Sequence, residues 1–89
     1  PVGYSDHTIG SEISLFAICL GASAIERHFT IDKSLIGSDH ALSMNPCEFL
    51  NMVREIRKLE IILGDGQKKP VDSELQSRKD LKRSVFCDI

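Results

Sequence analysis

Two histidines set the chemistry that this chain could carry. His7 closes the segment Gly3-Tyr4-Ser5-Asp6-His7-Thr8, and His28 stands near the end of Ile25-Glu26-Arg27-His28-Phe29-Thr30, 21 positions later. One helix-like amphipathic run lies between them, which is the spacing of one strand–loop–helix–loop cycle. If both strands belong to one parallel sheet, both imidazoles emerge side by side at the same edge. Such a pair suits Mn, Co, Fe, Ni or Zn and leaves positions open for water and substrate oxygen. The competing reading is two unrelated histidines, one in a loop and one hydrogen-bonded near a strand end.

Other side chains gather around this pair in the sequence. Glu26 shares a strand face with His28, two residues earlier, and is placed either to orient the site or to meet a lysine elsewhere. Asp39 and His40 lie in a long loop beyond the second strand, where they can overhang the same edge or form a solvated turn. Ser-Asp-His occurs twice, at Ser5-Asp6-His7 and Ser38-Asp39-His40. A hydrolase triad does not follow, because adjacent residues point in different directions and no G-x-S-x-G elbow is present.

The elements that would position these groups are readable from periodicity. Pro1–Tyr4 reads as a short strand and Ser5–Gly10 as a polar loop. Ile13, Phe16, Ala17 and Leu20 have helical spacing, and Gly21 stands where a left-handed cap belongs. Ala22–Thr30 reads as a strand with Ile25, Arg27 and Phe29 on one face and Glu26, His28 and Thr30 on the other. Ile31–Ser43 is a loop of about thirteen residues, a length that is usually functional or disordered. Asn45-Pro46-Cys47-Glu48 is a strong helix start, followed by Phe49, Val53, Ile56 and Leu63 at helical spacing and stopped by Gly64. Strand, helix, strand, helix implies α/β with parallel strands. From Gln67 to Lys82 the chain reads as a linker or a surface-hugging extension, and Ser84–Ile89 turns apolar again. Two βα units cannot close a barrel, so the sequence reads as a piece of a larger protein.

Composition narrows the classes further. The 89 residues include 11 basic and 13 acidic side chains, a formal net charge of −2, which argues against a nucleic-acid partner. The longest mainly apolar run, Leu15–Ile25, is too short for a membrane span, and Pro1-Val2-Gly3 does not open a signal peptide. Cys19, Cys47 and Cys87 form no C-x-x-C pair, which fits a reducing cytosol. Cys19 is expected in the core, and the apolar helix stripes are expected to be packing surfaces. The basic groups Lys68-Lys69 and Arg78–Arg83 are expected to be solvated linker charge.

The motifs Gly3-Tyr4-Ser5-Asp6-His7-Thr8, Gly21-Ala22, Ile25-Glu26-Arg27-His28-Phe29-Thr30, Asp32-Lys33, Gly37-Ser38-Asp39-His40 and Ser43 resemble the sialic acid synthases, which make N-acetylneuraminate, legionaminate and related nonulosonates. The likeness continues through the Pro46–Leu63 helix, Gly64-Asp65-Gly66 and Lys82-Arg83-Ser84. It covers nearly the whole chain but only the last quarter or so of such an enzyme. It implies an incomplete TIM (β/α)8 barrel, with residues 1–66 as its last two βα units. Residues 67–89 would then be a linker toward an antifreeze-like domain outside this sequence.

The resemblance also implies a mechanism. Phosphoenolpyruvate adds through its methylene carbon to the aldehyde of N-acetylmannosamine or a similar 2-acetamido sugar, water attacks the resulting cationic carbon, and phosphate leaves. A divalent ion, usually Mn2+ with Mg2+ or Co2+ as alternatives, falls on His7 and His28. The phosphate-contacting serine falls on Ser5, the sugar-binding aspartate on Asp39 and a catalytic glutamate on Glu26. His40 disfavours the pseudaminate branch and leaves neuraminate and legionaminate open. The parent enzyme would be a cytoplasmic homodimer, and the 89 residues alone would be inactive. The alternatives are a non-catalytic truncated remnant, or another two-histidine metal-dependent barrel aldolase or lyase.

Overall fold

A computed structural model describes residues 1–85 and 87. The order is β1 (Gly3–Asp6), α1 (Glu12–Cys19), β2 (Ala24–Arg27), α2 (Pro46–Leu63), a 3-10 turn (Asp72–Glu74) and α3 (Leu75–Leu81). The strands pair in parallel, in the register Gly3↔Ala24, Tyr4↔Ile25, Ser5↔Glu26 and Asp6↔Arg27. The α/β alternation expected from the sequence is therefore present, with α1 against both β1 and α2.

The strand boundaries differ from those expected. β1 runs on through Ser5 and Asp6 instead of yielding to a loop after Tyr4. Asp6 is only 1% exposed, and its polarity is absorbed by partners inside the fold, which polarity alone does not reveal. β2 is shorter than Ala22–Thr30 and ends at Arg27. Beyond it the chain makes one further parallel bridge, Phe29↔Met44. Its bonds are Met44 N–H to His28 C=O and Thr30 N–H to Met44 C=O, both 2.9 Å.

The helices divide in the same way. α2 starts as its sequence predicts: the Asn45 side chain accepts the Glu48 N–H, and Glu48 accepts the Asn45 N–H, each at 2.9 Å. This reciprocal cap and Pro46 at the first position fix the start, and Gly64 ends the helix. Met52 is buried on the inner face of α2, and Val53, Ile56 and Leu59 are half-buried. α1 ends at Cys19, and Gly21 then takes φ 95°, a conformation that favours glycine.

Of the expected packing stripe of α1, Ala17 is half-buried and the other three residues are exposed. Ile13, Phe16 and Leu20 are 40%, 61% and 90% exposed, whereas Ser14 is fully buried. Cys19, expected in the core, is exposed. The helix is tied to β1 by the hydrogen bond from Ser14 to Asp6, with Leu15, Ala17 and Ile18 half-buried beside it. Among the described residues the buried apolar side chains are Met44 and Met52, and the buried polar ones are Asp6, Ser14, Thr30 and Ser43. The stretch expected to be linker contains the 3-10 turn and α3, which pack on each other. The apolar end read over Ser84–Ile89 falls partly on residues 86, 88 and 89, outside the described residues. No described helix is long and apolar enough to cross a membrane.

Candidate functional site

The ladder Ser5↔Glu26 and Asp6↔Arg27 carries an offset of 21, and the same offset brings His7 level with His28 just beyond it. Their ring centroids are 4.9 Å apart with the planes at 89°, an edge-to-face pair. Strand pairing therefore delivers the two imidazoles to one edge, as their spacing requires.

Ser5 and Glu26 stand one pleat below. Ser5 Oγ donates to Glu26 Oε1 at 2.8 Å. The serine hydrogen is thus committed, so the 3.3 Å contact of Ser5 Oγ with His7 Nε2 has the imidazole N–H as donor. In the neutral ring this leaves the lone pair on His7 Nδ1. Asp39 reaches the same edge from the long loop: its Oδ2 lies 3.8 Å from His28 Nδ1. That distance is too long for a direct hydrogen bond. A cleft of about 320 Å³ opens there, with His28, Gly37, Asp39 and His40 on its walls. A larger concavity, about 620 Å³, lies away from the histidines between Lys68–Pro70 and α3.

Among the described residues, no three His, Cys, Asp or Glu side chains converge to hold a metal ion. The residues that could hold an ion at this edge are His7 and His28, and two imidazoles would leave the rest of its shell to water or other ligands.

Two features that support this edge escape a reading by residue type. The first is a buried ion pair beneath the histidines. Arg27 Nη1 lies 2.7 Å from Asp6 Oδ2, with the two side chains 1% and 0% exposed. Asp6 also accepts from Ser14 Oγ at 2.6 Å, from Thr8 N–H at 2.9 Å and from Thr8 Oγ1 at 2.8 Å. Arg27 Nη2 donates to Thr8 C=O at 2.7 Å. Burial works against the charge on Asp6, but the hydrogen bonds from Ser14, Thr8 and Arg27 outweigh it and lower its pKa from 3.8 to about 2. One sequence signal was available: Asp6 and Arg27 are separated by the same 21 positions as the histidines.

The second feature is the order within Ile31–Ser43. Thr30, 4% exposed, contacts His40 Nδ1 through its hydroxyl at 2.8 Å. At the loop's far end, Ser43 Oγ and N–H both donate to Asp39 C=O, at 2.6 and 3.0 Å. Asp32 accepts from Ser34 N–H and Oγ, and these bonds lower its pKa. Lys33 Nζ reaches Glu48 Oε1 at 2.7 Å, tying the loop to the start of α2. Hydrogen bonds to Glu48 from Lys33 and from the Asn45 N–H lower its pKa.

Comparison with known proteins places these residues in a family context. The profile of the NeuB family matches residues 1–68. The N,N'-diacetyllegionaminic acid synthase of Legionella pneumophila is 53% identical over 85 residues, which are 96% of this chain and 24% of that protein. Human N-acetylneuraminate-9-phosphate synthase is 40% identical over 89 residues, 100% of this chain and 25% of its own length. The solved N-acetylneuraminic acid (sialic acid) synthetase of Leptospira borgpetersenii matches with a TM-score of 0.82 at 41% identity, covering 94% of this chain and 30% of that one. The chain thus spans about a quarter of the length of the curated relatives it matches.

Proposed function

The chain belongs to the NeuB family, and on that premise we propose that it forms the metal-and-sugar side of a nonulosonate synthase site. Residues 1–66 serve as the last two βα units of a TIM barrel, and residues 67–89 lead toward an antifreeze-like domain. The reaction joins phosphoenolpyruvate to N-acetylmannosamine or a related 2-acetamido sugar. A carbon–carbon bond forms from the methylene carbon to the aldehyde, water adds to the enol carbon, and phosphate leaves with its bridging oxygen. The synthase works in the cytoplasm as a homodimer.

One observation carries this reading. Parallel pairing sets His7 and His28 edge to face at 4.9 Å, on the edge that Asp39 overhangs. When bound there, a divalent ion, Mn2+ with Mg2+ or Co2+ as substitutes, supplies Lewis-acid polarisation of the sugar aldehyde. Asp39 accepts a sugar hydroxyl in the gap beside His28. Ser5, its hydroxyl fixed by Glu26, faces the phosphate of phosphoenolpyruvate. Glu26 is the catalytic carboxylate: Oε1 is engaged by Ser5 and Oε2 is left to exchange a proton with the reacting water.

The test is a chimera in which this chain replaces the matching quarter of the Legionella relative. Expected is metal-dependent release of inorganic phosphate from phosphoenolpyruvate only when a mannosamine-type sugar is supplied. His28→Ala should lower metal affinity and turnover by more than the 10–100-fold typical of an outer-sphere change. A soluble chimera that is inactive with both candidate sugars, or a His28→Ala variant with unchanged metal requirement and rate, would overturn the assignment.

A further inference from the structure

Asp39 stands on an exposed loop, yet its reach toward His28 is set by groups that do not touch the edge. The Thr30 hydroxyl holds one hydrogen, and it is donated to Asp32 C=O at 2.9 Å. The 2.8 Å contact with His40 must then run from the ring, with Nδ1–H donating and Thr30 Oγ1 accepting. His40 is thereby locked in one tautomer and one orientation. Gly37 lies flat against the ring: a Cβ there would sit 2.7 Å from His40 Cδ2. On the other side of Asp39, Ser43 is 3% exposed and grips the Asp39 carbonyl twice. Thr30 and Met44 are themselves joined by the Phe29↔Met44 bridge, two residues past His28. The aspartate is therefore stretched between two anchors, both fixed to the backbone that carries the histidine.

We propose that Thr30 and His40 form a latch that positions Asp39 for the sugar, and that they govern sugar affinity without touching phosphoenolpyruvate. This rests on the reading of Asp39 as the sugar-binding aspartate. Thr30 and His40 are positioning residues, and the bond between them is their means of action. A hydrogen bond of this kind, once lost, shifts an affinity by about three- to tenfold.

The chimera described above serves as the test system. Thr30→Val keeps the shape and removes the acceptor, and His40→Leu removes the donor. Each should raise the sugar KM by about three- to tenfold and leave the phosphoenolpyruvate KM within about twofold. The double variant should be no worse than Thr30→Val alone, because that variant already lacks the bond His40→Leu removes, together with the hydroxyl's bonds to Asp32. Thr30→Ser, which keeps the hydroxyl, should restore the parent value. The Ser43 amide, which donates to Asp39, should exchange its hydrogen several-fold faster in Thr30→Val, with the Met52 amide unchanged. Equal rises in both KM values, additive losses in the double variant, failure of Thr30→Ser to restore, or an unchanged Ser43 amide would each overturn the latch. A chimera with no activity sinks the synthase reading alone, and the Ser43 amide then decides the latch by itself.

Discussion

The tripeptide Ser-Asp-His appears at the carboxyl end of β1 and again in the loop beyond β2, and the fold uses its members in opposite ways. In Ser5-Asp6-His7 the aspartate is sealed inside, 1% exposed and bound to Arg27, while the histidine faces the candidate metal edge. In Ser38-Asp39-His40 the histidine is tied inward to Thr30, while the aspartate faces that edge. A strand alternates its side chains strictly, so one buried residue hands the next to the site. A loop has no such alternation, and an inward anchor must be built from side-chain bonds. The lesson is that a polar residue beside a functional one is often its support, and that backbone geometry decides which is which.

Exchanging the aspartates for alanine is the sharpest way to break this contrast. Asp6→Ala leaves Arg27 buried without its counter-charge and should destabilise the fold by about 3–5 kcal/mol, read as a lower urea midpoint in the chimera. Asp39→Ala should change stability by less than about 0.5 kcal/mol while raising the sugar KM. Comparable stability losses at both positions would erase the distinction.

Acid provides the next largest effect. Asp6 is held down at about 2 from an ordinary 3.8, so its contribution is complete above pH 4 and is lost as the pH falls toward 2. That contribution is about 2 kcal/mol. Urea midpoints at stepped pH should fall more steeply for the parent than for Asp6→Asn over this window; parallel curves would count against the buried pair. The smallest effect belongs to the loop. Gly37→Ala pushes a methyl into the His40 ring and should cost about 1 kcal/mol, with a raised sugar KM as the more sensitive readout. An unchanged sugar KM would show that the ring yields without moving Asp39.

Much of the frame was legible in the sequence because its signals are local or periodic. Asn45-Pro46-Cys47-Glu48 announces the capping box of α2, and the spacing from His7 to His28 equals the strand register. What was not legible is where polarity and burial part company. β1 looked finished at Tyr4 because Ser5 and Asp6 are polar, yet Asp6 finds three hydrogen-bond donors and the Arg27 charge inside the fold. α1 looked anchored by Ile13, Phe16 and Leu20, yet Ser14 is its buried residue. Hydropathy patterns assume that apolar means inside. Here hydrogen-bond complementarity between residues far apart decides, and a window read along one chain does not contain it. The latch escaped for the same reason, since Thr30 and His40 meet only when the loop closes.

The Asp6–Arg27 pair is satisfied in one alignment of the strands. If β1 slipped by one residue against β2, Arg27 would fall opposite Ser5 or His7 and bring an uncompensated charge into the interior. The penalty for such a charge is several kcal/mol, larger than a short ladder loses by moving a single step. The same slip would carry His7 about 3.3 Å out of line with His28. The charge pair stands one residue before the histidines, so the register that satisfies it is the one that sets the two imidazoles side by side.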